Sequence, residues 1–430
     1  MSASAAAEKA HIFDTLGQRS AAASGPMCWF VPGRIEVLGK HTDYAGGRSL
    51  LCTAERGFCV AAVPRDDALV RITDTGRKQS FEFTISPALE VPASTWRLYA
   101  AVVARRLACN FPGRLRGADI TLASDLPSAA GMSSSSALVI AIFAALSTLN
   151  RLKEREEYTA NIRTPEELAE YLGSIENGQT YKSLAGDGGV GTFGGSEDHT
   201  AILTSDSGHL KQYSFCPVRL ERTVQIATDC AFVIGVSGVV ADKTGSAKES
   251  YNRASRAVTS ILEVWRSVSG STAPTLAAAA TNSPDAPDRI RDAIRNGAPN
   301  ADREWLVHRF DQFLLESESI IPRACDALAR NDLRTFGELV DQSQAATESL
   351  LMNQVPETIW LAKEARRLGA IAASALGAGF GGSVWALVAS ESAAEFARRW
   401  QQAYDASPFP ARVSSQFFVT AAGPHITQLR

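Results

Sequence analysis

The run Gly131-Met132-Ser133-Ser134-Ser135-Ser136 leads directly into an apolar stretch that begins at Ala137. Glycine and serine at a helix start leave several backbone N–H groups without intrahelical partners. The positive end of the helix dipole points the same way, so the chemistry of this segment is anion capture, with phosphate the natural occupant. For the segment taken alone, a serine-rich cap serving only the helix is the alternative. A second cluster, residues 32–47, packs Arg34, Glu36, Lys40, His41, Asp43 and Tyr44 among four glycines within sixteen positions. Arg, Lys, His and Asp together can bond several hydroxyls or oxyanions, so this stretch predicts a polar ligand pocket. It is not a Walker A loop. Gly33 and Gly39 are one residue too far apart, and His41 stands where Ser or Thr is required.

Two further segments are glycine-rich. Residues 186–199 end on Glu197, Asp198 and His199, which suggests backbone running close to a ligand. With His41 and Asp43 the same triplet could also build a metal centre, although no further His occurs at ligand-like spacing. Gly377, Gly379 and Gly382 satisfy the G-x-G-x-x-G dinucleotide fingerprint. The context contradicts that assignment, because a dinucleotide loop follows a strand and opens a helix, whereas this one follows a helix and opens a strand.

The elements that must position these groups alternate in type. Hydrophobic periodicity predicts strands at 27–38, 49–63, 69–74, 80–85 and 117–124 and helices at 96–109, 134–149 and 165–183. Thr200 to Leu203 reads as a short strand. Beyond residue 215 a strand is expected at 224–236, a helix at 244–266, several helices over 284–368, and strands at 382–389 and 412–420. This is an α+β order. Polar breaks fall at 204–210 and 267–304, the second read as an exposed connection or irregular helical insert. No internal repeat is found.

With 430 residues, 45% hydrophobic and 21% charged, the chain suggests two globular domains. A net charge of −3 leaves no electrostatic footprint for nucleic acid or an anionic membrane surface, so a phosphate site must be local. Seven scattered cysteines without a Cys-x-x-Cys pair indicate neither a disulfide framework nor a zinc cage. No stretch resembles a signal peptide or reaches the roughly 18 apolar residues of a spanning helix. A cytoplasmic protein with no membrane partner is expected.

Taken in order, these segments resemble the GHMP superfamily of small-molecule kinases, and within it the galactokinase branch. Residues 32–44 resemble the sugar signature, 127–137 the second motif and 377–382 the third. Trp96 to Tyr99 resembles the segment beside the adenine pocket, and Tyr251-Asn252 resembles a further helix motif. The resemblance spans residues 25 to about 390. It implies an N-terminal domain like ribosomal protein S5 domain 2, here 1–215, and a ferredoxin-like C-terminal domain, here 216–430, with the active site between them.

It further implies ATP and Mg²⁺ as cofactors and a small-molecule sugar as substrate, in a monomer or weak dimer. The cradle Gly131, Met132, Ser133, Ser134, Ser135 and Ser136 would hold the ATP phosphates, with Trp96 at the adenine. Ser135 and Glu176 would ligate Mg²⁺. Asp198 would act as base or orienter for the sugar C1 hydroxyl, and Arg34 would stabilise developing negative charge. His41, Asp43, Tyr251 and Gly381 would contact the sugar. Lys40 stands where the family carries a glutamate, and an ammonium can only donate hydrogen bonds. The implied activity is phosphorylation of galactose or a galactose-like sugar. A kinase for an anionic sugar such as galacturonate, and a catalytically silent sugar and ATP sensor, are the alternatives.

Overall fold

The computed structural model describes residues 3–19, 25–93, 96–128, 130–241, 248–409 and 414–429. Its first half is built on β1 (Met27–Leu38), β2 (Arg48–Pro64), β3 (Leu69–Asp74), β4 (Gln79–Thr84) and β5 (Ala118–Ser124). β6 (His209–Ser214) and β7 (Arg219–Gln225) complete this part of the sheet. Helices α1 (Ala3–Arg19), α2 (Trp96–Asn110), α3 (Ser134–Leu149), α4 (Glu156–Asn161), α5 (Pro165–Asn177) and α6 (Glu197–Thr204) pack around it.

The second half carries β8 (Cys230–Val236), β9 (Ala372–Ala375), β10 (Ser383–Ala389) and β11 (Gln416–Thr420). Between β8 and β9 lie α7 (Lys248–Ser269), α8 (Leu276–Ala280), α9 (Ala286–Gly297), α10 (Arg303–Leu314), α11 (Ile321–Ala329), α12 (Leu333–Ala346) and α13 (Pro356–Arg367). α14 (Ala393–Asp405) follows β10, and a last strand, β12 (Thr427–Gln428), closes the order.

The first sheet has eight strands in the order β12-β1-β2-β5-β3-β4, with β6 also on β2 and β7 on β6. All its pairs are antiparallel except β3 with β5. The second is a four-stranded antiparallel sheet, β11-β8-β10-β9. The division expected at residue 215 therefore moves: it would cut the β6–β7 hairpin, whose ladder runs from His209–Gln225 to Ser214–Arg219. β12 also returns to the first sheet, pairing Trp29 with Gln428 and Phe30 with Thr427.

Local chemistry accounts for most boundaries. α3 buries nearly all sides (Ala137, Ile140, Phe143 and Leu146 are each under 5% exposed), as a helix must that runs between a sheet and other helices. α5 opens on Thr164, whose hydroxyl accepts from Glu167 N at 3.2 Å, while the Glu167 carboxylate accepts from Arg163 N at 2.7 Å. Pro165 sits in its first turn. It ends at Asn177 rather than 183, because Gly178 adopts φ 83° and its N–H closes on Ser174 O.

Three expectations change. Thr200 to Leu203 is helical, part of α6: Glu197 and Asp198 in the first turn favour the positive end of a helix, and three apolar positions are too few to fix a period. The strand expected over 224–236 is two strands in different sheets, β7 and β8. The insert at 267–304 contains α8 and α9, which bury Leu276, Ile290 and Ile294 with Ile261 and Phe310. Parts of the expected elements at 244–266 and 412–420 lie outside the described residues. No helix among the described residues is long and apolar enough to cross a membrane.

Candidate active site

The serine-rich turn is held from three sides. Arg34 N donates to Met132 O at 3.1 Å, tying the turn to β1, and Ser383 Oγ donates to Ala130 O at 2.7 Å. The third side is the glycine segment before β10. A Cβ on Gly377 would lie 3.0 Å from Gly131 O, and one on Gly131 would lie 3.0 Å from Leu376 O. Both glycines have positive φ, 67° and 75°, so side chains are excluded twice over. The apparent dinucleotide fingerprint is thus a packing surface for the anion turn. Ser133, at φ 59°, makes no side-chain cap to α3, and its buried Oγ has no hydrogen-bond partner. That orphaned hydroxyl, with free N–H groups at a helix start, is what a phosphate oxygen satisfies.

Arg34 lies in front of the turn. A bulge between Pro32 and Arg34 in the β1–β2 ladder precedes it, and Glu36 shares its side of the strand. Its Nε and Nη2 stand 2.7 and 2.6 Å from Asp198 Oδ1, and Nη1 donates to Gly131 O at 3.2 Å. Glu36 Oε2 is 3.3 Å and Glu197 Oε1 3.6 Å from Nη2. Burial alone would pull the guanidinium pKa down, but Asp198, Glu36 and Glu197 outweigh it and the net shift is upward. Ser136 Oγ donates to Glu176 Oε2 at 2.9 Å and to Asp198 Oδ2 at 3.4 Å. His199 Nε2 lies 3.3 Å from the same Glu176 oxygen.

Burial, reinforced by Glu36 and opposed by Arg34, raises the Glu197 carboxyl well above its ordinary value. Glu197 Oε2 accepts from Ser49 Oγ at 2.7 Å.

The opposite wall comes from residues 39–44. Asp43 Oδ2 accepts from Glu197 N at 3.1 Å, and the His41 ring lies between Tyr44 Oη at 2.7 Å and Ala378 O at 3.0 Å. The Tyr251 ring, from α7, sits 5.3 Å from the His41 ring. Asn252 fixes the loop over residues 191–193, accepting from Phe193 N at 3.1 Å and donating to Gly191 O at 3.2 Å.

Behind this wall runs a buried polar stripe. Arg309 donates to His41 O at 2.5 Å and to Tyr44 Oη at 3.3 Å, Gln312 to Lys40 O at 3.2 Å, and Glu316 accepts from Gly39 N at 2.8 Å. All three side chains are fully buried. Sequence reasoning missed them, although their spacing of three and four places them on one helix face; apolar neighbours at Phe310 and Phe313 disguise that face as core.

Arg34, His41, Asp43, Ser136, Glu176, Asp198 and Tyr251 thus line one cavity. Four assignments fare differently. Lys40 is not in the cavity wall: its side chain is fully buried and its Nζ has no hydrogen-bond partner. Gly381 is also outside the wall, packed so that a Cβ would meet Val239 O at 2.9 Å; Gly377 and Ala378 take its place. The serine joined to Glu176 is Ser136, while Ser134 and Ser135 stay partly exposed. Trp96 opens α2, half-buried and outside this cavity, its indole N–H donating to Gln79 Oε1 at 2.9 Å. Among the described residues no group of three His, Cys, Asp or Glu side chains is placed to hold a metal ion. A centre built from His41, Asp43 and the 197–199 triplet therefore has no counterpart there.

An anion turn, a buried arginine–aspartate fork and a polar wall are parts a phosphotransferase needs, and family comparison agrees. Residues 97–189 match the GHMP kinases N terminal domain, 324–406 the GHMP kinases C terminal, and 18–64 the galactokinase galactose-binding signature, together just over half of the sequence. The chain belongs to the GHMP kinases. Similar proteins include the galactokinase of Roseiflexus sp. (strain RS-1), 29% identical over 380 residues and covering 87% of this chain and 86% of that one. The galactokinase of Chloroflexus aggregans is 27% identical over 371 residues, covering 85% and 84%. Among solved structures, Lactococcus lactis galactokinase complexed with galactose superposes with a TM-score of 0.80 at 22% identity, over 97% of this chain and all of the other (100%). The Methanococcus jannaschii mevalonate kinase gives 0.55 at 13% identity, over 94% and 100%.

Proposed function

We propose that this protein is an ATP-dependent sugar kinase that phosphorylates the C1 hydroxyl of galactose. The observation that carries the reading is the fork of Arg34 on Asp198, set 3.4 Å from the anion turn's Ser136 inside a cavity walled by His41, Asp43 and Tyr251. The turn receives the ATP phosphates on its N–H groups and the Ser133 hydroxyl, with Trp96 assigned to the adenine. His41, Asp43 and Tyr251 bond sugar hydroxyls and hold C1 towards Asp198. Asp198 accepts or orients the C1 proton, and Arg34 offsets negative charge gathering between nucleophile and phosphoryl group.

Glu176 and Ser136 are hard oxygen donors, and Mg²⁺ is usually held by one or two carboxylates plus substrate phosphates, so these residues fit that ion. When bound, it would neutralise charge on the phosphate oxygens. Asp198→Asn should lower kcat by about 10²–10⁴-fold while galactose still binds, measured by ADP release and calorimetry. Binding of both ligands by the wild type without galactose-dependent ADP release would refute the enzyme and favour a sensor.

A second reading, a kinase for an anionic sugar such as galacturonate, depends on Lys40, whose side chain lies outside the cavity wall. Comparing kcat/KM on galactose and galacturonate separates the two. Galactose preferred by the wild type and unimproved by Lys40→Glu would exclude the anionic sugar.

A further inference from the structure

A second cavity, of about 400 Å³, lies among α3, α4, α5, α6 and β12. It falls within the roughly 300–1,000 Å³ of small-molecule sites. Its wall is largely apolar, with Trp29, Phe143, Tyr158, Ile162, Leu203 and Ile426. The charged groups that join them are of one sign. Lys153 and Arg163 line its exposed rim, neither forms an ion pair, and no carboxylate lines the cavity. Arg163 Nε reaches only Thr159 O, at 3.4 Å. Inside, Ser147 Oγ is buried, with the residue 3% exposed, and has no hydrogen-bond partner.

A largely apolar chamber and two cations at its rim that form no ion pair complement a single kind of small molecule. We propose that this cavity binds a medium-chain alkanoate, its hydrocarbon against Trp29, Phe143 and Ile162 and its carboxylate at Lys153 and Arg163. Desolvating the chain supplies the attraction, and the rim cations select a carboxylate over a neutral head group.

The cavity shares helices with the kinase site but no residues. Ser147 is near the end of α3 and Ser136 near its start; Leu168 and Glu176 are two turns apart on α5; Leu203 and Asp198 lie towards opposite ends of α6. Occupancy by alkanoate is therefore independent of galactose, and the proposal stands whether or not galactose is the substrate.

The test titrates octanoate into the full chain by calorimetry, with a bromine-bearing octanoate as quencher of Trp29 fluorescence and Trp29→Phe as the control. Saturable one-to-one binding, unchanged by saturating galactose, is expected. Exchanging both exposed cations, Lys153→Glu with Arg163→Glu, should weaken octanoate by about tenfold or more and leave 1-octanol unchanged. Ala144→Trp, which fills the chamber, should abolish both. No saturable binding at millimolar octanoate overturns the proposal. So does octanoate binding that the charge exchange leaves intact, or competition with galactose, which would put the probe in the sugar site.

Discussion

Arg309→Met tests whether the buried stripe behind residues 39–44 sets the sugar site. The substitution keeps length and apolar bulk but removes the donors to His41 O at 2.5 Å, Tyr44 Oη at 3.3 Å and Gln312 Oε1 at 2.7 Å. Arg309 is fully buried and forms no ion pair, so removing its charge also relieves a desolvation cost, and the melting temperature should change little. The loss falls on the His41 carbonyl. A hydrogen bond from a charged donor is worth about 1.5–3 kcal/mol. If that free energy is spent on assembling the sugar wall, KM for galactose rises by about 10- to 150-fold.

The Tyr44 phenol, which burial pushes up to about 12 against the pull of Arg309, stays neutral and keeps its bond to His41 Nδ1. Arg309 touches nothing in the anion turn, so KM for ATP should stay within about twofold and kcat within about threefold. Steady-state kinetics with both substrates varied, alongside a thermal melt, give all four quantities. A galactose KM that moves no more than the ATP KM in a folded variant would refute the reasoning.

Glu197→Gln probes the raised carboxyl. Because folding raises this group above its ordinary 4.5, the native state binds the extra proton, and stability falls as pH rises above that value. The variant cannot ionise, so its stability relative to wild type should grow as pH rises above 4.5 in urea melts; a difference that does not change with pH would contradict the raised carboxyl. Gly377→Ala would place a methyl 3.0 Å from Gly131 O in a left-handed backbone, costing roughly 1–2 kcal/mol and displacing the anion turn. It should raise the KM for ATP more than that for galactose, and an unchanged ATP KM would show that the glycine wall does not position the turn.

Much of this architecture is legible in the residues. β1, β3 and α3 fall at 27–38, 69–74 and 134–149 as expected, because alternation, a turn and a serine start each mark them unambiguously. The four glycine-bearing clusters are visible too, and their contact with one another explains why glycine is needed. What sequence cannot supply is contact across distance. Arg34 and Asp198 are 164 positions apart, and only resemblance to a family pairs them. Arg309, Gln312 and Glu316 look like lapses in a core helix until the backbone of residues 39–41 is laid against them. Lys40 fails for the opposite reason: its neighbours in sequence line the cavity, but a long side chain can leave by another route. α6 escapes a reading from sequence because a run of three apolar residues carries no period.

The pairing of β12 with β1 bears on how the protein is made. The strand that carries Arg34 gains its outer neighbour only when residues 427–428 have been synthesised, after the whole of the second sheet. At usual rates of synthesis, that leaves the β1 edge at Trp29 and Phe30 open on the ribosome for roughly tens of seconds. An open strand edge is a template for pairing with another chain. During that interval the nascent first sheet carries an unpaired edge, and residues 427–428 act as its clasp.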